Sequence, residues 1–251
     1  MLRRPDRLVL DRSAIPARAH PWPGDDEVAQ IILLDPAAVP MPDAFHAWGR
    51  QLAAQGITTI RTGALAPRHA TQAEAAGMHC IQELALLEAR PPLHAARTVV
   101  RTSACREGRV GEHDFDDMAA IDHAAFGDLW RLDARMLRDV CGATPTFRAR
   151  VVRDPATRWS RPRRRPVGFL ISGRAGRTGY VQRLAVHPDQ HRRGVATALL
   201  ADALTWMQRW RADRVLVNTH VDNEPALALY RRLGFVDLPE RLRVYEGPTG
   251  P

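Results

Sequence analysis

Lysine is absent from this sequence of 251 residues, so all 36 basic side chains are arginine. Arginine and alanine usage this heavy indicates a high-GC bacterial genome, which concerns the source of the chain and not its activity. Long apolar runs are absent too: none approaches the roughly 18 residues that a membrane span needs, and Met1–Leu10 contains no apolar signal-peptide core. These absences predict a cytoplasmic bacterial protein with no membrane partner.

Cysteine is also scarce. Cys80, Cys105 and Cys141 are far apart and odd in number, which excludes a self-contained disulfide framework and any CxxC zinc or redox site. We interpret all three as small buried apolar side chains. A chain of this length can bury a sizeable core without a disulfide or a metal, and we expect no metal site.

The positive charge that is present is unevenly distributed. The chain has a formal net charge of +8, but arginines counted against acidic residues give −1 for residues 1–90 and +9 for residues 91–251. The positive field therefore belongs to the C-terminal part. Such a field suits a polyanionic cofactor, an acidic substrate or nucleic acid.

A proline-bearing stretch, ARPPLHAA at residues 89–96, separates two patterned regions. We take residues 91–96 as a linker between a segment of residues 1–90 and a domain of residues 97–251. In that domain, apolar periodicity predicts the order β α α β β β α β α β β, an α/β (α+β) architecture with a mixed central sheet flanked by helices. The predicted strands are residues 97–101, 146–152, 167–172, 180–186, 214–218 and one or two strands in 235–245; the predicted helices are residues 114–126, 133–140, 194–210 and 225–233.

A basic turn joins a strand to the longest of these helices. Residues 180–197 read YVQRLAVHPDQHRRGVAT, so the turn ends at Gly194, where the helix begins. A helix N-terminus presents unpaired N–H groups and a partial positive charge, and it can hold a phosphate or pyrophosphate. Gly194 permits close backbone approach, while Arg192 and Arg193 add charge. The same pattern also fits an ordinary strand-to-helix connection with solvated arginines.

Two motifs make the pattern more specific. Residues 184–196 resemble motif A of the GNAT acyltransferases, V-x-P-x-x-[QR]-x-x-G-x-[GA], and residues 223–235 resemble motif B, N-x-x-A-x-x-L-Y-x-x-L-G-F. The motifs stand in the order and spacing of that family, and the resemblance covers about residues 97–247. His191 departs from motif A, because the family usually has Gln or Arg there, and a side-chain contact to the pyrophosphate is lost with it.

The resemblance implies the GNAT acyl-CoA N-acyltransferase fold and acetyl-CoA as the co-substrate. In the family, two central strands splay apart and the acyl-pantetheine lies between them. The implied cofactor-binding residues are Leu184, Ala185, Val186, His191, Arg192, Arg193, Gly194, Val195, Ala196, Thr197, Asn223 and Tyr230.

The resemblance also implies catalytic roles. The Val186 N–H would stabilise the oxyanion of a tetrahedral intermediate, and Tyr230 would protonate the leaving thiolate as general acid. The alternative for Tyr230 is a core aromatic side chain. Relatives often place a Glu as general base where Gln182 and Asn218 stand here. His220 and Asp222, just beyond the strand, are substitutes of the right chemistry, and we take His220 as the candidate base; a chain of water molecules would also serve.

The resemblance implies that the acceptor is an amine of a small molecule or of a protein or peptide N-terminus. Trp130, in the sequence FGDLW, and Asn218 are the candidate substrate-binding residues, and Trp130 fits a core position equally well. We interpret the basic loop RWSRPRRR at residues 158–165 as a solvent-exposed loop, and we do not expect nucleic acid as a partner.

The main rival function is a non-catalytic acyl-CoA-binding regulator. Oligomeric state and acyl-chain length stay open.

The N-terminal segment contains a faint internal repeat. An offset of 157 residues sets Gly77 on Gly234, Thr62 on Thr219 and Ala73 on Tyr230. Residues 31–36 resemble the strand and proline of motif A, but the following stretch is five residues shorter, and the basic glycine turn is what is missing. We therefore predict a smaller, degenerate GNAT-like half domain in residues 1–90 that cannot catalyse. Residues 30–88 should form strand–helix–strand–helix–strand.

Overall fold

The structure is a computed structural model that describes residues 8–10, 15–22, 24–35, 37–92, 106–153 and 165–250. The expected α/β architecture with mixed sheet and flanking helices is confirmed. The described chain forms two compact units. Unit 1 contains the residues up to Leu86, Asn218–Asn223 and those from Leu238 onward, and unit 2 contains Leu87–Val217 and Glu224–Asp237. The units are thus interleaved along the sequence.

Unit 1 has the expected strand–helix–strand–helix–strand order over residues 30–88. Its strand order is β1-β2-β3-β4-β11-β5, with β3 and β4 parallel. The elements are β1 (Leu8–Val9), β2 (Ala17–Trp22), β3 (Asp25–Leu33), α1 (Pro42–Ala53), β4 (Thr59–Thr62), α2 (Pro67–Ala75), most of β5 (His79–Ala89) and most of β11 (Val236–Pro248).

Proline starts both helices of unit 1. Met41 and Ala66 are extended, and Pro42 and Pro67 follow at the first helical position, where the missing N–H would have no intrahelical partner. The two helices bury apolar residues in one core with β3, β4 and β11. That core includes Phe45, Trp48, Ile60, Ala73 and Tyr245.

Unit 2 has the strand order β10-β9-β8-β7-β6, with β6 to β9 antiparallel and β9 parallel to β10. The elements are β6 (Arg106–Arg109), α3 (Asp114–Trp130), α4 (Ala134–Cys141), β7 (Thr146–Arg153), β8 (Pro166–Ala175), β9 (Thr178–Val186), α5 (Val195–Arg209), β10 (Arg214–His220), whose last residues belong to unit 1, and α6 (Glu224–Arg232).

The two faces of this sheet carry different helices. Phe169, Ile171 and Ala185 pack with residues of α3 and α4 in one core. Because side chains alternate along a strand, Gly168 and Val186 face the other way. A Cβ on Gly168 would lie 2.7 Å from Cγ1 of Val195, so the glycine lets α5 pack closely on that face.

Several sequence expectations need correction or fall outside the described residues. Cys141 is buried, and burial raises the pKa of its thiol to about 11, but Cys80 is exposed on β5. The strand β6 was not anticipated, because its sequence REGR has no apolar alternation. Helix α3 runs four residues beyond the expected end and contains a non-helical break at Gly127 (φ 68°). Cys105, the expected strand at residues 97–101 and nearly all of the basic loop lie outside the described residues.

No helix in the described ranges is long and apolar enough to cross a membrane.

Candidate functional site

The last residues of β9 expose one edge of their backbone. The His187 N–H donates to the Val167 carbonyl at 2.9 Å, and Val186 stands opposite Gly168. Along a strand of an antiparallel ladder, the backbone N–H and C=O groups of successive residues point alternately toward and away from the neighbouring strand. Because the His187 N–H points toward β8, the N–H and C=O of Leu184 and Val186 point away from it. The pairing of β9 with β10 joins Thr178–Tyr180 to Arg214–Leu216, well before β9 ends. The amides of Leu184 and Val186 are therefore placed to bind a ligand along this edge.

His191 has a partner that the sequence did not suggest. Its Nε2 lies 3.1 Å from the Val186 carbonyl oxygen. A carbonyl only accepts, so Nε2 carries a proton and donates it. The residue that departs from motif A thus ties the basic turn to the strand end. The Val186 N–H points to the same side as that carbonyl and has no such partner in the described ranges.

The basic turn, residues 187–194, presents backbone donors. Arg192 (φ 59°) and Gly194 (φ 78°) both adopt left-handed conformations, which are uncommon for a side chain as large as Arg192. The first hydrogen bond within α5 runs from the Ala198 N–H to the Gly194 carbonyl at 2.9 Å. The N–H groups of residues 195–197 precede that bond and point out of the helix start, where an anion binds.

Three arginine side chains surround this helix start. Arg192 and Arg193 are exposed, and Nη1 of Arg193 donates to Oε1 of Gln190 at 3.1 Å. Arg232, from α6, donates through Nη2 to the Thr197 hydroxyl at 3.1 Å. Within the described part of the chain, none of the three has a carboxylate ion pair, unlike Arg231, which pairs with Asp237. Arg232 is not among the residues predicted from the sequence, although it follows the motif tyrosine by two positions.

Together these features fit the phosphates of a nucleotide-type cofactor. The N–H groups of the helix start, the close backbone approach that Gly194 permits, and guanidinium groups without a carboxylate partner among the described residues all favour bound negative charge. Among the described residues, no group of three or more His, Cys, Asp or Glu could hold a metal ion.

Tyr230 lies on α6 and is 5% exposed. Its ring centroid is 5.6 Å from that of Phe235, and burial raises the pKa of its phenol well above the ordinary value. The phenol is therefore protonated at neutral pH, which is the form that a general acid needs. The same burial is what a core aromatic would show.

The remaining candidate residues lie in the unit 1 segment Asn218–Asn223. Nδ2 of Asn223 donates to the Thr219 hydroxyl at 3.1 Å, and the Asp222 N–H donates to Nδ1 of His220 at 3.1 Å. A neutral imidazole has one accepting nitrogen, so this bond occupies the lone pair that a general base would use. His220 stays a prediction, and it must first release the Asp222 N–H.

Gln182, at the alternative base position, occupies a bulge in β9 opposite β8. Its Oε1 is buried without a hydrogen-bond partner among the described residues. An amide cannot accept a proton at neutral pH, so this position offers no base.

Trp130 is half-buried at the end of α3, and its carbonyl oxygen accepts a hydrogen bond from Nη2 of Arg183 at 2.7 Å. Arg183 also pairs with Asp122 of α3. Neither residue could be predicted from the sequence, because an ion pair between positions so far apart leaves no motif.

Comparisons with known proteins agree with this geometry. Residues 126–235 match the model of the Acetyltransferase (GNAT) family. N-alpha-acetyltransferase 30 of Saccharomyces cerevisiae is 36% identical over 67 residues, which are 27% of this chain and 38% of the relative. Mycothiol acetyltransferase of Clavibacter sepedonicus is 46% identical over 54 residues, 22% of this chain and 18% of the relative. The matches thus span less than half the length of these relatives.

A solved structure matches almost the whole chain. A tandem GNAT protein from the clavulanic acid biosynthesis pathway, solved without acetyl-CoA, has a TM-score of 0.69 and 15% identity, covering 98% of this chain and 85% of that one. At this identity the likeness shows the fold, which confirms the GNAT fold and a GNAT-like N-terminal part. Residues 126–235 thus match the GNAT family model, and the chain has the GNAT fold.

Proposed function

We propose that the protein is an N-acetyltransferase that moves the acetyl group of acetyl-CoA directly to an amine of a small molecule or of a protein or peptide N-terminus. One observation carries the proposal. In unit 2 a helix start whose first N–H groups point outward follows a strand end at which the N–H groups of Leu184 and Val186 point away from β8. An acyl-CoA needs both, because its pyrophosphate is charged and its pantetheine arm carries amides.

The residues of this chain have separate tasks in the proposed reaction. The N–H groups of residues 194–197, with Arg192 and Arg193, hold the pyrophosphate, and Leu184, Ala185 and Val186 line the pantetheine arm. Asn223 contacts that arm from the start of the next helix, and Asn218 and Trp130 contact the acceptor. Residues 97–251 contain all of these groups, and residues 1–90 serve as a non-catalytic GNAT-like part joined through residues 91–96.

The chemistry is an acyl transfer. The amine nitrogen attacks the thioester carbon, and the Val186 N–H stabilises the oxyanion that forms. The C–N bond forms, the C–S bond breaks and Tyr230 gives its proton to the departing thiolate. The amine loses its proton to His220 or to solvent through water.

The second candidate function is a non-catalytic acyl-CoA-binding regulator. It is favoured by the lack of a carboxylate base at Gln182 and by the occupied lone pair of His220. It predicts binding of acetyl-CoA with no thiol release in the presence of any amine.

Thermal unfolding with and without millimolar acetyl-CoA tests the binding site. Ligand at about 100 times its dissociation constant stabilises by about 2.7 kcal/mol, which is roughly 5–10 °C for a chain of this size. Gly194→Asp places a carboxylate in the turn, and we expect the shift to vanish. Gly176→Asp is the matched control, because Gly176 (φ 56°) lies in the hairpin turn between β8 and β9 with open space around it.

Thiol release then separates the two functions. The acceptors are peptides with a free α-amino group and a varied first residue, together with spermidine and glucosamine. Acetyl-CoA binding with thiol release supports the enzyme, and binding without release from any acceptor supports the regulator. A wild-type protein that shows no thermal shift contradicts both.

A further inference from the structure

A buried ion pair joins β9 to α3 beside the proposed reaction centre. Nε and Nη2 of Arg183 each donate to a carboxylate oxygen of Asp122 at 2.7 Å. The Asp122 side chain is 0% exposed and that of Arg183 is 18% exposed. A planar guanidinium on a buried carboxylate is a strong and directional contact. Breaking such a pair is costly, because a buried charge is left without its partner.

The same pair holds residues 126–132, the segment that contains the break in α3 at Gly127. The Phe126 ring lies under the Arg183 guanidinium, 3.7 Å from ring centroid to Cζ. The Trp130 carbonyl accepts from Nη2 of Arg183 at 2.7 Å, and the Leu132 N–H donates to Oδ1 of Asp122 at 2.7 Å. Gly127, within the segment, has a non-helical backbone. Three contacts to one ion pair therefore hold this segment in place, although its helical hydrogen bonding is interrupted at Gly127.

The position of this segment relative to the strand edge is also fixed. Arg183 directly precedes Leu184, and a strand rises about 3.3 Å per residue, so the contacts to Arg183 begin within about 10 Å of the Val186 N–H along the strand. Arg183 and Ala185 share the sheet face that carries α3, while Val186 shares the face of α5. The basic turn, which is proposed to hold the pyrophosphate, leads into α5. An acceptor that attacks from the opposite face approaches past residues 126–132.

We propose that Arg183, held by Asp122, is a positioning residue that sets the acceptor side of the site by fixing residues 126–132. This inference rests on the proposed function. The ion pair makes no direct contact with reacting atoms, and it acts through the Phe126 ring and the Trp130 backbone. It predicts that acceptor recognition, and not acetyl-CoA affinity, depends on the guanidinium.

Arg183→Lys is the main test. Lysine keeps a positive charge opposite Asp122 but cannot donate to both carboxylate oxygens and to the Trp130 carbonyl in one plane. The matched control is Arg153→Lys. Arg153 donates to both oxygens of Asp114, at the other end of α3, and has similar exposure. Hydrogen exchange of residues 126–132, the Kd of acetyl-CoA and the KM of the best acceptor from the panel above are measured for each.

We expect Arg183→Lys to raise the acceptor KM at least fivefold and to speed amide exchange in residues 126–132 about tenfold, with the acetyl-CoA Kd within twofold of wild type. Unchanged KM and exchange overturn the proposal. So does a parallel rise of KM and Kd, or the same KM rise in Arg153→Lys, because either indicates a general loss of structure. Asp122→Asn repeats the test if Arg183→Lys does not fold.

The outcomes also distinguish the two proposals. If the wild-type protein releases no thiol with any acceptor, the proposed function fails by itself. The exchange measurement then decides the inference: selective loosening of residues 126–132 in Arg183→Lys supports the positioning role, and unchanged exchange contradicts it.

Discussion

Units 1 and 2 both contain a strand–helix–strand–helix series, but only unit 2 has arginines and a glycine in the turn before the first helix of that series. Residues 34–41, before α1, read LDPAAVPM and contain no arginine. The Asp35 carboxylate accepts the Ala37 N–H at 2.8 Å, and Pro42 removes a donor from the first helical position. Before α5, two arginines and Gly194 occupy the corresponding turn. The fold therefore forms without this turn, which argues that the turn of unit 2 serves a ligand.

The second helices of the two series, α2 in unit 1 and α6 in unit 2, also differ in the side chains of the proposed site. The offset of 157 residues sets Ala73 on Tyr230 and Ala75 on Arg232. Ala73 is 0% exposed in the core of unit 1, and Ala75 is exposed. Unit 2 thus has a phenol and a guanidinium where unit 1 has two methyl groups. The comparison indicates that these two side chains are not required by the fold.

The largest expected effect comes from Tyr230→Phe. The substitution keeps the ring against Phe235 and removes only the hydroxyl, so stability and the acetyl-CoA Kd should change little. General acid catalysis contributes about 100-fold to 10,000-fold, and we expect kcat to fall at least 100-fold. Tyr180→Phe, at the start of β9, is the control and should leave kcat near wild type. An unchanged kcat in Tyr230→Phe would mean that Tyr230 is a core aromatic side chain and not the general acid.

The reverse substitution, Ala73→Tyr, tests whether unit 1 retained space for the tyrosine. Ala73 is fully buried among apolar residues, so the larger ring should strain the core and lower the free energy of unfolding by about 1–3 kcal/mol. Ala75→Tyr, at an exposed position of the same helix, is the matched control and should have a much smaller effect. Chemical denaturation measures both. Equal stability of the two variants would mean that unit 1 keeps the cavity of a lost active site.

Local features of both units could be predicted from sequence, because apolar periodicity and the two motifs are continuous in the chain. The strand–helix order of residues 30–88 and the basic turn before α5 are examples. Contacts between distant positions could not be predicted. The Arg183–Asp122 pair spans 61 residues, and β11 pairs with β4 so that Glu246 stands opposite Arg61. Neither produces a periodic signal.

His191 shows a second kind of limit. Its departure from motif A predicts a lost contact, whereas in the structure its ring binds the Val186 carbonyl. A motif records which residue types usually stand at a position. It does not show that a shorter or flatter side chain turns toward the backbone of the preceding strand.

The smallest expected effect comes from Arg232→Met, which removes from α6 a charge that α2 of unit 1 also lacks at this position. Arg232 contacts Thr197 in the first turn of α5, so its charge lies beside the N–H groups that would hold a phosphate. An exposed guanidinium contributes modestly to anion binding in water. We therefore expect the acetyl-CoA Kd to rise about threefold to tenfold, and less at high salt. Isothermal titration measures the Kd.

Arg231→Met is the matched control for this variant. Arg231 is the neighbouring residue on the same helix and is also exposed, but its guanidinium is bound to Asp237 through Nε and Nη2. Both variants remove one positive charge from α6, so a purely long-range charge effect would weaken acetyl-CoA binding equally in the two. A rise in Kd confined to Arg232→Met assigns the effect to the contact with Thr197. An equal rise in the Kd of both variants would mean that Arg232 contributes no more to phosphate binding than Arg231 does.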